Sequence, residues 1–287
     1  MPYILLIIPA LIVIHYIFFC FFKVTRCEIT TDKISKDLKI VFISDLHGFT
    51  YGKRLYNKVK ALNPDVILIG GDSVNKDEAE SIRKVKPFIC SLPEIAPTFY
   101  AFGNHESFIQ NLSYDNNAEL KSEFNTFISS LRENNVWLLY KEVEYFGDMA
   151  FMPIDLPLSY YKKREIKPYD ANEVMSSVIG DLSVSGFNII LAHNPCYAGN
   201  YAELNPDLIL CGHTHGGLIR IPFIGAFLSP ELTFFPKYSG GIYDIMSNGR
   251  KIKLIVSKGL GTHGFHIRIH NMAELIEIKL KKGESNE

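Results

Sequence analysis

The chain has 287 residues and a formal net charge of −1, with 47% hydrophobic and 21% charged residues. That length allows one large α/β domain or two small ones, and the near-neutral balance gives no electrostatic ground for a nucleic-acid partner. Five cysteines (Cys20, Cys27, Cys90, Cys196 and Cys211), odd in number and without CxxC spacing, argue against a disulfide framework or a zinc ribbon and fit a reducing compartment. Cys196 and Cys211 read as small buried hydrophobes.

Residues 3–22 form a run free of formal charge apart from the titratable His15. At 1.5 Å per residue such a helix crosses about 30 Å, the thickness of a hydrocarbon core, so 1–23 is expected to be a single N-terminal transmembrane anchor. No basic segment precedes it and no small-x-small site follows, which disfavours a cleaved signal peptide. Lys23, Arg26, Lys33, Lys36 and Lys39 follow the run, and the positive-inside rule then puts the body on the cytoplasmic side of the cell membrane. Residues 24–37 read as a juxtamembrane segment and 38–287 as one domain, with no linker and no internal repeat.

Within that domain, apolar stretches at 39–44, 65–69, 97–102, 187–192 and 205–211 predict buried strands. Helices are expected at 54–62, 76–92 and 119–134, the last with Leu120, Phe124, Phe127, Ile128 and Leu131 at helical spacing. Short strands at 137–140, 143–146 and 149–154 suggest hairpins, and further strands are expected at 241–246, 252–256 and 274–280. Five times an apolar strand is followed by Asp, His or Asn beside glycine or proline: Asp45-Leu46-His47-Gly48, Gly71-Asp72, Gly103-Asn104-His105-Glu106, His193-Asn194-Pro195 and Gly212-His213-Thr214-His215. Open α/β sheets place their sites at the carboxyl ends of strands, so five such ends can converge on one spot. Each has a plainer reading alone. Asp45 or Asp72 could cap a helix, Asn104 could serve a turn, and His193 could be a satisfied core residue.

In type, order and rough spacing these five motifs resemble those of the calcineurin-like metallophosphoesterases. A membrane-associated bacterial branch is resembled more closely, through 213–217 followed by 219–222, through 238–243, and through Gly259-Leu260-Gly261-Thr262 with Arg268. The resemblance implies an α/β sandwich of two mixed β-sheets flanked by helices, and a site for two divalent cations. Asp45, His47 and His215 would hold the first, Asn104, His193 and His213 the second, and Asp72 would bridge both. Ions about 3.5–4 Å apart would clamp a phosphoryl group and share a water whose hydroxide attacks phosphorus in line. His105 would donate toward the leaving oxygen, with Glu106 beside it to orient or polarise it. Carboxylate and imidazole without thiolate suit Mn²⁺ first, with Fe or Zn²⁺ compatible.

The branch continues its Gly-Leu-Gly-Thr with a small residue and then proline, where this chain has His263 and His266. Those read as surface or packing residues, with phosphate contact as the alternative. Arg268 is a candidate ligand for substrate phosphate and Arg220 a solvated arginine. The exported members' twin arginines are missing, in keeping with an anchored protein. Residues 219–235 are unusually apolar for the flank of a catalytic loop, which on a tethered domain suggests a lipid-linked phosphate substrate, with ordinary core or a loop covering a sheet edge as the equal alternative. Residues 156–164 read first as a solvated loop and offer as the alternative a second surface, with aromatics for headgroup depth and Lys162, Lys163 and Arg164 for anionic lipid. The expectation is a membrane-anchored, dinuclear-metal hydrolase of phosphodiester or pyrophosphate bonds, with the bilayer as partner and neither nucleic acid nor protein implied. The alternatives are a UDP-2,3-diacylglucosamine pyrophosphatase of lipid A synthesis and a non-catalytic metal-binding scaffold.

Overall fold

The computed structural model of the chain describes residues 20–161, 167–175, 178, 180–183, 185–229, 232–262 and 268–283. One six-stranded sheet has the order β1-β14-β2-β3-β4-β5, made of β1 (Phe22–Thr31), β2 (Leu38–Ile43), β3 (Val66–Gly70), β4 (Thr98–Ala101), β5 (Val136–Leu139) and β14 (Ala273–Lys282). The second has the order β12-β13-β9-β8-β7-β6, from β6 (Glu144–Phe146), β7 (Met149–Ile154), β8 (Phe187–Ala192), β9 (Leu208–Cys211), β12 (Gly241–Ser247) and β13 (Arg250–Val256). A small hairpin, β10 (Ile219–Ile221) and β11 (Gly225–Leu228), stands outside both. Strands β2 to β5 run parallel, as do β7, β8, β9 and β13, while β14 pairs antiparallel with β2, so both sheets are mixed.

Parallel strands covered on both faces read as continuous apolar runs, because alternate side chains enter different cores. In β2, Ile40 and Phe42 join Leu68, Phe99, Phe151, Ile189, Leu210 and Ile255 between the sheets. Val41 and Ile43 face the other way, against Leu55 and Val59 of α1 (Lys53–Leu62), Ile82 and Val85 of α2 (Ala79–Ser91), and Phe124 and Phe127 of α4 (Ala118–Glu133). The outer face of the second sheet packs Ile190, Ile209 and Leu254 under Tyr160, Tyr197 and Tyr201. Each fully buried leucine- or phenylalanine-sized side chain contributes roughly 1.5–3 kcal/mol. The inter-sheet layer therefore fixes how the strand ends line up.

Three expectations change. The expected hairpins at 137–140, 143–146 and 149–154 do not all form: β5 continues the first sheet parallel to β4, and only β6 and β7 pair antiparallel. Segment 24–37 supplies β1, an edge strand parallel to β14 from Phe22↔Ala273 to Thr31↔Lys282. Edge strands carry charge on their open side, so Lys23, Arg26 and Glu28 suit that position as well as a membrane flank. Three of the five cations used for the orientation argument are tied into the domain: Arg26 to Glu277, Lys33 to Asp207, and Lys39 to the carbonyl of Leu62. Of the expected anchor, 1–19 lies outside the described residues. Among the described residues no helix is long and apolar enough to cross a membrane.

Candidate metal centre

The carboxyl ends of β2, β3, β4, β8 and β9 deliver Asp45 and His47, Asp72, Asn104, His193, and His213 and His215 to one edge of the sandwich. Backbone hydrogen bonds lock these turns together. The Asp45 N–H donates to the Gly71 carbonyl at 3.0 Å, His47 to Asp72 at 3.1 Å and Gly212 to His193 at 3.1 Å. The carboxylates join in: Asp45 Oδ1 accepts from His213 N at 3.0 Å, and Asp72 Oδ1 from His105 N at 2.9 Å. Asp45, His47, Asp72, His213 and His215 all have positive φ, between 46° and 70°. Non-glycine residues pay for that conformation, and it clusters at functional sites. Two neighbouring positions must be glycine for steric reasons. A Cβ on Gly103 would meet Asp72, and one on Gly212 would meet the Asp45 carboxylate and the Ser44 hydroxyl.

The ligand atoms of Asp45, His47 and His215 lie within 4.8 Å of one another, as do those of Asp72, His193 and His213. Asp72 Oδ2 is 3.0 Å from His193 Nε2 and 3.9 Å from His47 Nε2, so it faces both groups. His47 Nε2 and His215 Nε2 stand 3.2 Å apart. Two facing imidazole nitrogens at that distance suit a shared cation. Hydrogen bonds set the tautomers: His47 Nδ1 lies 2.8 Å from Asn75 Oδ1, and His193 Nδ1 2.8 Å from the Gly70 carbonyl. Oxygen only accepts there, so Nδ1 carries a proton in both rings and Nε2 is the nitrogen left to take a cation. Asn104 Oδ1 is buried without a hydrogen-bond partner, which suits an oxygen meant for a cation. The donor set thus fits two divalent ions.

His105 has the opposite tautomer. Its Nδ1 accepts from the Lys76 N–H at 2.9 Å, which leaves the proton on Nε2, 3.9 Å from Asp72 Oδ2. Although close enough to group with His47 and Asp72, it presents a donor to the site where the others present lone pairs. Electrostatics agree with these roles. Burial lowers His47, and burial together with His47 lowers His215 further, so both rings stay neutral. Burial would also lower His193, but Asp72 and Asp45 raise it to about 10, so a cation there has to displace a proton. Burial opposes ionisation of Asp72, yet His193, His105 and His47 hold it well below the usual carboxylate range.

Several expected placements are corrected. Glu106, expected to orient His105, is fully buried and accepts from the N–H groups of Asp72, Ser73 and Gly103 at 2.8–2.9 Å and from the Tyr100 hydroxyl at 2.7 Å. It clamps the Asp72 turn to the start of α3 (Asn104–Gln110). Burial and the nearby Asp72 charge raise its pKa. Arg268, expected at substrate phosphate, is 2% exposed and donates to the carbonyls of Lys258, Gly259 and Gly261. It ties down the loop whose Leu260 and Gly261 N–H groups bind the Ser44 and Asp45 carbonyls. Arg220 is half-buried rather than solvated and donates to the carbonyls of Gly216 and Ser239. His263, His266 and Lys162 to Arg164 lie outside the described residues. Tyr160, expected at headgroup depth, is buried against Tyr197 with its hydroxyl on Glu173. Cys211 is buried as expected, but Cys196 is exposed.

Sequence reasoning missed Asp155, which follows β7 and accepts from the Ser107 hydroxyl of α3 at 2.7 Å; burial raises it to about 6. The missed signal is a sixth strand end carrying a carboxylate. Also missed were Tyr161, whose ring packs 5.1 Å from that of His213, and Asn271, whose amide donates to the carbonyls of His215 and Gly217.

A family model described as calcineurin-like phosphoesterase matches residues 38–217. A metallophosphoesterase of Campylobacter jejuni is 31% identical over 270 residues, 90% of this chain and 63% of that protein, so the chain spans just under two thirds of that relative. Phosphodiesterase YaeI of Escherichia coli is 28% identical over 198 residues, 67% of this chain and 66% of its own. UDP-2,3-diacylglucosamine pyrophosphatase LpxG of Chlamydia trachomatis is 24% identical over 261 residues, 78% of each chain.

Proposed function

The chain belongs to the calcineurin-like phosphoesterase family, and from that premise we propose a membrane-anchored, dinuclear-metal hydrolase of phosphodiester or pyrophosphate bonds in a lipid-linked substrate. The observation that carries the reading is the meeting of seven potential ligands from five strand ends, with Asp72 between two groups of three. Asp45, His47 and His215 would hold one cation, Asn104, His193 and His213 the other, and Asp72 both. Divalent cations bound there supply Lewis acidity at the phosphoryl oxygens and acidify water, with Mn²⁺ the first candidate.

The chain's own groups do the rest. The Lys76 N–H keeps His105 protonated at Nε2, and that proton would pass to the leaving oxygen. Glu106 holds the Asp72 turn at fixed height against α3. A cavity of about 610 Å³ opens beside His47, lined by Tyr51, Arg54, Asn75, Lys84 and Thr262 among others. Its two cations would take an anionic part of the substrate. An anchor in the apolar run ahead of β1, with the domain on the cytoplasmic side, would bring the site to lipid.

The test is full-length protein in detergent with added Mn²⁺, assayed on bis(p-nitrophenyl) phosphate, phospholipids and nucleoside-diphosphate lipids, with metal counted on the same sample. Two ions per chain and chelator-sensitive hydrolysis are expected. A metal-free protein with no diesterase or pyrophosphatase activity on any member would overturn the reading and leave the scaffold alternative. The match to LpxG over 78% of both chains favours a second reading, UDP-2,3-diacylglucosamine cleavage. Turnover of that lipid well above every other panel member would select it.

A further inference from the structure

The hairpin beyond the site exposes apolar groups that the proposed chemistry does not use. Phe223 at the tip is 108% exposed relative to a free residue, Ile224 is 66% exposed, and Phe234 and Phe235 on the following turn are 63% and 59% exposed. Phe223 and Phe235 also have φ of 67° and 48°. Glycine or asparagine would adopt that backbone at less cost. Scattered exposed hydrophobes need no explanation, but a contiguous set does. Phe223, Ile224 and Phe235 line one groove of about 760 Å³ with Arg220, Lys237 and His270, and among the described residues no carboxylate lines it. Greasy tips around a cationic hollow match the two layers of an anionic bilayer surface, acyl chains and headgroup phosphates.

The position of this patch says what covers it. The hairpin joins the site edge: the Arg220 N–H donates to the Ile269 carbonyl, and Asn271 holds the His215 and Gly217 carbonyls just ahead of it. Asn271 leads directly into β14, whose first residue, Ala273, pairs with Phe22 of β1. Because β14 runs antiparallel to β2, with Ile276 opposite Phe42, its start lies toward the end of β2 from which Asp45 follows. Phe22 packs on Tyr51, and the Tyr51 hydroxyl binds the Leu260 carbonyl, one residue from Gly261, whose N–H binds Asp45. The apolar run 3–19 thus joins the described fold at the edge that carries both the metal ligands and the exposed hairpin.

We propose that the turns at Phe223–Ile224 and Phe234–Phe235 are a second bilayer contact, which together with the N-terminal run seats the mouth of the metal site against an anionic lipid surface. The inference rests on the anchored reading above and adds the orientation of the domain to it. Burying one phenylalanine in lipid is worth roughly a tenfold to hundredfold in partitioning, so two or three set the domain's pose.

The experiment uses the full chain reconstituted in vesicles of 3:1 phosphatidylcholine and phosphatidylglycerol, some carrying acyl-brominated lipid that quenches tryptophan on contact. The native Trp137, on β5 at the far edge of the first sheet, is the internal reference. In a Trp137→Phe background, Phe223→Trp and, separately, Phe234→Trp place the reporter on either turn. Both are conservative changes at exposed positions, and hydrolysis of bis(p-nitrophenyl) phosphate in detergent checks folding. Emission at 223 and 234 should shift to the blue and be quenched several-fold more than Trp137 in the native chain. If the chain floats with the vesicles but both reporters emit as in water without quenching, the hairpin proposal is overturned and the anchor stands. If the chain does not float at all, the anchored reading falls, and this proposal with it.

Discussion

The two sheets bring unlike chemistry to the edge they share. The first ends its strands in oxygen donors, Asp45, Asp72 and Asn104, with a single imidazole ligand in His47. The second ends in three imidazoles, His193, His213 and His215. Each proposed ion therefore takes ligands from both sheets, since His215 closes the Asp45 group and His193 and His213 close the Asp72 group. Metal binding and the packing of one sheet on the other then become one equilibrium. Whatever holds the sheets in register holds the ligands, and bound ions should stabilise the sandwich in return.

The sharpest way to break that symmetry is Asp72→Ala, which removes the carboxylate proposed to bridge both ions. Diesterase activity is expected to vanish and the metal count by elemental analysis to drop; unchanged turnover would end the bridging role. His105→Ala should slow kcat by about 10²–10⁴, as for other positioned proton donors, while both ions stay bound because its Nε2 carries a proton. Metal loss in that variant would make it a ligand. Phe151→Ala touches no ligand but opens the inter-sheet layer where Phe151 meets Phe99 at 4.8 Å. A cost of about 3–5 kcal/mol in denaturant unfolding is expected, together with weaker metal binding by titration; metal affinity unmoved by that loss would separate the sheets' packing from the site.

The smallest effect concerns Asp155, raised to about 6 by burial. A carboxyl whose folded pKa lies above its unfolded value near 3.8 binds its proton more tightly when folded. Its contribution is therefore most favourable below pH 4 and declines as pH rises to 6, by on the order of 2–3 kcal/mol. In metal-free protein, Asp155→Asn should flatten that decline, so the melting temperature of the variant gains on the native chain between pH 4 and pH 7. Parallel pH profiles would show that Asp155 is not the group titrating.

The candidate ligand positions were legible because each sits directly after an apolar run, and strand ends converge in any sheet of this kind. Side-chain direction was not. Glu106 follows His105 by one residue, but successive residues of a helix project about 100° apart, so the two face different partners. Arg268 looked free to meet phosphate because sequence gives no hint that four backbone carbonyls surround it. The role of β1 was hidden for a related reason. Its alternating charges fit an edge strand as well as a membrane flank, and only the pairing with β14, some 250 positions away, decides between them.

That pairing has a consequence for biosynthesis. β14 lies between β1 and β2, so β1 has no strand to pair with in this sheet until β14, some 250 positions later, has been made. Asn271 and Arg268, which steady the His215 and Asp45 turns, emerge in the same late window. Until that segment pairs, the sheet ends at β2, and the turns that carry the candidate ligands lack the contacts that hold them.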